Sequence, residues 1–210
     1  MKNIILFGAP GSGKDTQAPD LSQMFNSRIV SLGDILRKEV KDGTALGSEV
    51  KAVMEKGLLV SDDLVARVIE ANLDNKGFIL DGYPRNLAQA KKLDEILAAK
   101  GTQVDMFLYF EVDEKTVIER LSNRRVCKNC NALYHLINMP SKVEGVCDKC
   151  SGELYQRKDD NLETIQKRWE VFSKESQSLV DFYTNSKKLI KINASGNKAD
   201  ILERIKQALK

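Results

Sequence analysis

The chain has 210 residues, 42% of them hydrophobic and 30% charged, with a formal net charge of +3. That length buries a substantial core, as one domain or as one domain with insertions, and the balance is that of an ordinary globular protein. The charge excess is too small and dispersed to argue for nucleic acid. The longest apolar runs, "IILF" and "MFLYF", fall far short of a membrane span, and no secretory signal is visible, so a cytoplasmic protein is expected.

"KNIILFG" predicts a buried parallel strand, a short apolar run closed by glycine. "TQAPDLSQMF" has helical spacing, with Pro19 as a guest that removes a backbone N–H and is expected to bend the helix, at about 3 kcal/mol if unrelieved. "RIVS" is a short second strand, and Gly33 to Gly57 holds two short helices broken at "DGT". "SDDLVARVIEANL" is a helix with Ser61 as its expected N-cap and Asp62 and Asp63 complementing the dipole. A strand and turn follow in "GFILDGYPR", then a helix in "NLAQAKKLDEILAAKG" ended by Gly101. "DMFLYFEV" is a fourth strand, "DEKTVIERLSNRR" a helix, "KKLIKINAS" a fifth strand and "ADILERIKQALK" a final helix. Alternation of this kind implies an α/β fold: a parallel five-stranded sheet with helices on both faces. Two stretches interrupt it: a helical insert at 31–60, and a segment from Arg124 to about Asp160, rich in Gly, Asn, Lys and Cys, with β-like runs "ALYHL" and "ELYQR".

"GAPGSGKDT", Gly8 to Thr16, matches G-x-x-x-x-G-K between a predicted strand and a predicted helix. Glycines there let backbone N–H groups wrap phosphate oxygens, the helix adds its positive end, and Lys14 supplies a mobile charge for the outer phosphates. The hydroxyl that approaches Mg²⁺ in this pattern directly follows the lysine, whereas here Thr16 comes one residue later. Asp15 takes the intervening place. At about 6 Å and an effective dielectric near 20, each unit of phosphate charge would repel it by about 3 kcal/mol. Facing solvent it would gain about 0.3–1 kcal/mol from the helix dipole. A solvent-facing rotamer and a mild handicap for ATP binding are therefore expected.

Asp81 ends a strand on the same sheet edge as the loop, which suits it to hold Mg²⁺ through water; the plainer reading is a capping aspartate. Arg85 follows Pro84 on a stiff turn, and Arg37, Arg120, Arg124, Arg157 and Arg168 recur around the two inserts. Arginine suits planar contact with phosphate. No residue stands out as a general base: His135, the sole histidine, suits packing or base stacking equally well. A phosphate oxygen as acceptor is already an anion and needs no base.

Cys127-x-x-Cys130 and Cys147-x-x-Cys150 are two metal knuckles at zinc-ribbon spacing, and four thiolates close a tetrahedral shell, hence a structural ion. Disulfides are disfavoured in a reducing cytoplasm, and iron could fill the same site. Zinc ribbons also bind nucleic acid, but this one has few aromatics beyond Tyr134 and Tyr155.

Together these motifs resemble the adenylate kinases, in the bacterial type whose lid is stapled by zinc, over essentially the whole chain. "GAPGSGKDTQA" is similar to the ATP phosphate loop, "SLGDILR" to the start of the AMP-binding helices, and "DGYPRNLAQ" to the turn that holds AMP. "RRVCKNC…CDKC…YQRKDD" is similar to the lid, and "IQKRW" to the segment with the last phosphate-clamping arginine. The resemblance implies a P-loop NTPase-type core at 1–30, 61–121 and 161–210, an AMP-binding insert at 31–60 and a zinc lid at 122–160. It implies Mg·ATP and AMP as substrates, ADP as product, structural Zn²⁺, and a monomer that binds neither nucleic acid nor membrane. Lys14, Arg85, Arg120, Arg124, Arg157 and Arg168 would be catalytic. Gly11, Ser12, Gly13, Lys14, Asp15, Thr16, Arg120, Arg124, Tyr134 and His135 would meet ATP. Leu32, Arg37, Gly57, Val60, Gly82, Arg85 and Gln89 would meet AMP. Asp15 stands where that family usually has glycine, and Leu32 where it has a small hydroxyl residue. Leu32 keeps a UMP/CMP kinase or a GTP-using relative open. From a different class, a nucleotide-gated nucleic-acid-binding module remains the contrast.

Overall fold

The computed structural model describes residues 1–73 and 76–209, so Lys210, the end of the expected last helix, lies outside it. Strand β1 (Ile4–Gly8) is buried at every position, and its neighbours β3 (Phe78–Asp81) and β4 (Met106–Glu111) pair with it in parallel. With β2 (Arg28–Ser31) and β8 (Leu189–Asn193) at the edges, the sheet runs β2-β3-β1-β4-β8, parallel throughout.

The period-two alternation of β1 sets the layers. Ile4 and Leu6 pack with α1 (Lys14–Phe25) and α8 (Lys198–Ala208) through Leu21, Ile201 and Ile205. Ile5 and Phe7 pack on the opposite face with α4 (Asp62–Asn72), α5 (Leu87–Ala99) and α7 (Leu162–Asn185) through Ile69, Leu93 and Tyr183. Each such side chain, taken fully out of water, contributes roughly 1.5–3 kcal/mol.

One expectation is corrected in the helices. Ser61 heads α4 but makes no side-chain cap bond. Pro19 lies inside α1, which is continuous across it; the proline is exposed, so its ring crowds no core neighbour.

The 31–60 insert is a pair, α2 (Leu32–Asp42) and α3 (Ala45–Glu55). Ser31 and Thr44 accept the capping bonds from Asp34 and Gly47, and Gly43 ends α2 at φ 67°, where a side chain would be strained. After α6 (Glu114–Ser122) the lid forms a second sheet. Its two expected β-like runs, β6 (Leu133–His135) and β7 (Leu154–Tyr155), flank a strand whose first two residues the sequence reading took as the end of a helix, β5 (Arg124–Cys127). No helix among the described residues is long and apolar enough to cross a membrane.

Candidate active site

The glycine loop leaves β1 and enters α1 at the carboxyl edge of the sheet, where Leu6 is level with Asp81 across the β1–β3 ladder. Gly13 takes φ 88° at the helix N-cap, a left-handed turn open to glycine. Lys14 Nζ donates to Ala9 O at 3.4 Å and lies 3.9 Å from Asp81 Oδ1. Two buried polar atoms here have no hydrogen-bond partner, Ser12 Oγ and Asp81 Oδ1. Such atoms in a native interior call for a ligand, water or ion. Burial raises the Asp81 carboxyl above the usual range; Lys14 opposes this, while Asp15 and Asp34 add to it.

A cleft above the loop is lined by Lys14, Arg37, Arg85, Arg124, Arg157 and Arg168 from five separate parts of the chain. Three carboxylates that the sequence reading passed over hold some of these arginines in place. Asp160, itself 1% exposed, accepts a fork from Arg124 at 2.8 and 2.6 Å. Asp159 accepts from Arg168 at 2.9 Å, and Asp34 from Arg37 at 2.5 Å. Arg157 is under-paired: Asp34 is 4.0 Å away and its buried Nε has no acceptor. Burial lowers the pKa of Arg157 and Arg168 to about 10, so both keep their charge at neutral pH. Cations crowded in this way await anionic oxygens.

Two further cavities adjoin this cleft and share no lining residue with each other. One, of about 570 Å³, shares Arg37, Gly57, Arg85 and Arg168 with it and continues over Leu32, Leu36, Met54, Val60, Val65 and Gln89. Gln89, expected to read a base, is already occupied. Its Oε1 accepts from Arg85 N at 2.7 Å and its Nε2 donates to Asp62 at 2.7 Å. It thereby holds the turn in which Arg85 Nε donates to Gly82 O.

The other cavity, of about 1240 Å³, shares Gly11, Asp15 and Arg124 with the cleft and is walled by Gly13, Thr16, Arg120, Tyr134 and His135. Asn197 and Lys198 complete it; their only signal in the sequence was a loop after the fifth strand, on the same sheet edge. Arg120 does not line the cationic cleft as expected. Its guanidinium donates to Ser12 O at 3.2 Å, Ala194 O at 2.8 Å and Gly196 O at 2.9 Å, tying the phosphate loop to the end of the sheet. Tyr134 turns its hydroxyl to Cys147 Sγ. His135 Nδ1 accepts from Ile137 N and Asn138 N, which leaves the proton on a buried, unpartnered Nε2; burial lowers the ring's pKa and keeps it neutral.

Asp15 corrects a larger expectation. Its carboxylate faces into the molecule, where it borders both the cationic cleft and the larger cavity. Burial opposes its ionisation, but Lys14, Arg124 and Arg157 outweigh that and hold its pKa below the usual carboxylate value.

In the lid the four cysteine sulfurs lie within 4.8 Å of one another, with Cys127–Cys150 at 3.4 Å and Cys130–Cys147 at 3.6 Å. A tetrahedral ion with sulfur at about 2.3 Å sets its ligands about 3.8 Å apart. The set fits a structural zinc, and all four thiols are free of disulfides.

The chain is similar to known proteins along nearly its whole length. A family model described as "Adenylate kinase" matches residues 6–188. Proteins named adenylate kinase align along nearly the whole chain. That of Caldicellulosiruptor bescii is 45% identical over 210 residues, covering 98% of each chain. That of Thermoanaerobacter pseudethanolicus is 44% identical over 210 residues, covering 98% of this chain and 97% of its own. That of Caldanaerobacter subterraneus is 45% identical over 212 residues, covering 98% and 95%.

Proposed function

This chain belongs to the adenylate kinase family, and from that premise we propose how its own residues carry out the reaction. The enzyme transfers the terminal phosphoryl group of Mg-bound ATP to AMP, giving two ADP. A phosphate oxygen of AMP bonds to the γ-phosphorus as the bond to the β,γ-bridging oxygen breaks, so no proton has to move.

One observation carries the assignment of parts: three contiguous cavities with the cationic one in the middle. Two nucleotides laid base-outward meet there at their phosphates. The larger cavity takes the ATP base beside His135 and Tyr134, with Arg120 bracing the loop, and Gly11, Ser12, Gly13, Lys14 and Thr16 cradle its phosphates. The smaller takes the AMP base against Leu32, Val60 and Gly57, with Gly82 and Gln89 shaping the turn and Arg37 and Arg85 on its phosphate. Lys14, Arg85, Arg124, Arg157 and Arg168 surround the group in flight and offset the charge on its oxygens. Magnesium arriving on ATP neutralises part of the β- and γ-phosphate charge, and Asp81, with its unpartnered buried Oδ1, would hold it through water. The 122–160 lid and 31–60 insert act as covers on the 1–30, 61–121 and 161–210 core, excluding water that would otherwise hydrolyse ATP. The lid zinc closes its shell with thiolates and takes no part in the transfer. We place the enzyme in the cytoplasm, where its thiols stay reduced.

Supplying ATP with each of AMP, GMP, UMP and CMP and measuring the diphosphates tests this. AMP should react fastest. Faster turnover with UMP or CMP would reassign the smaller cavity.

A further inference from the structure

Asp15 has no part in the scheme above, yet it directly follows Lys14 at the start of α1 and borders the cleft. In the G-x-x-x-x-G-K pattern the residue after the lysine offers an oxygen to the cation carried by the triphosphate. Here that residue is Asp15, and the hydroxyl of Thr16 is displaced by one place. The carboxylate shares the cleft with Asp81, whose Oδ1 is buried without a hydrogen-bond donor. Two acidic groups thus border the place where Mg·ATP brings its cation. Asp81 is the less comfortable anion of the two: burial raises its carboxyl and Asp15 raises it further.

We infer that Asp15 is a second carboxylate serving the divalent cation of ATP, so that the donor site admits metal-bound ATP and resists the metal-free nucleotide. Without a cation, every phosphate charge entering the loop meets a carboxylate that Lys14, Arg124 and Arg157 keep ionised. With the cation the sign reverses, because magnesium is held through one or two carboxylates together with substrate phosphates. Asp15 lines the cleft and the larger cavity but not the smaller one, so the charge it adds falls on the donor side of the cleft. The side chain thus favours metal-bound over metal-free nucleotide at the donor side.

The inference rests on the donor-site assignment made above, and the test separates the two. ATP is titrated calorimetrically into wild type, Asp15→Asn and Asp15→Gly, first in excess magnesium and then in magnesium-free buffer without chelator, which leaves the lid zinc in place. In magnesium, Asp15→Asn should bind ATP about tenfold or more weakly than wild type, the scale on which supporting groups act on metal affinity. In magnesium-free buffer it should bind ATP more tightly. Asp15→Gly should follow the same crossing of signs, which a folding defect would not produce. Manganese titrated into the ATP complexes and followed by electron paramagnetic resonance should bind more weakly to both variants. Tighter ATP binding by the variants in both buffers would overturn the inference and leave Asp15 a plain counter-ion for the lid arginines. Equal affinities throughout would overturn it as well. Failure of wild type to bind ATP in either buffer would overturn the donor-site assignment with it.

Discussion

In the core, β1 is buried at all five positions between two layers of helices, whereas the lid strands β5, β6 and β7 have only four, three and two residues. The apolar cluster of the lid is correspondingly thin: Cys127, Tyr134 and Cys147 with Ala132 and Leu154 against them. Hydrophobic burial at roughly 25 cal/mol per Å² supplies the core amply and the lid hardly at all. A metal shell makes up the difference. The same contrast governs charge: rigid strands and helices of the core fix Lys14, Arg85 and Arg168 around the cleft, while Arg37 comes from the insert and Arg124 and Arg157 from the lid. The lid adds its arginines only while its own fold is pinned.

Removing the metal should therefore break the comparison most sharply. Structural zinc contributes on the order of 10 kcal/mol of apparent binding energy in small domains. Replacing Cys127 and Cys130 with serine should release the ion and expose amides of 124–155 to hydrogen exchange, while those of β1, β3 and β4 stay protected. Loss of core protection to the same extent would show that the two regions fold as one unit.

Lys14→Met reverses the experiment by sparing the fold and removing charge. Lys14 packs in neither main core cluster, so the melting temperature should hold while turnover falls about 10²–10³-fold, the loss typical of one electrostatic donor. A folded variant with near wild-type turnover would contradict the loop assignment.

The smallest effect concerns base choice. Leu32 is 3% exposed in the AMP-side wall, and apolar contact orients a base less than a hydroxyl does. Leu32→Thr should raise the preference for AMP over CMP and UMP by a few-fold up to about tenfold, within the range of such pockets. An unchanged acceptor ratio would mean that the turn held by Gln89, rather than position 32, sets discrimination.

The sequence made the core legible because its signals are local: an apolar run then glycine for β1, helical spacing for α5, four cysteines at knuckle spacing for the metal. What it hid was non-local. Asp34, Asp159 and Asp160 gave no sign of bracing Arg37, Arg168 and Arg124, since those pairings depend on how the insert, lid and core come together. The direction of Asp15 was misjudged for the same reason: the lid arginines that draw it inward lie more than a hundred residues away in sequence. Arg120 and Gln89, placed in the site from the sequence, also make backbone bonds that the sequence did not reveal, because a long polar side chain can brace backbone as readily as it can meet a ligand. The "RR" of "RRVC" was read as a helix end, and pairing on both edges makes 124–127 the central strand of the lid.

Two nucleotides meeting in one cationic cleft is the claim on which the rest depends, and ADP alone tests it most directly. If both outer cavities accept a nucleotide at once, Mg-bound ADP supplied as the only substrate should yield ATP and AMP in equal amounts, with no orthophosphate released. Orthophosphate appearing in step with ADP loss would contradict the account, as would ADP left unchanged by folded, zinc-loaded protein.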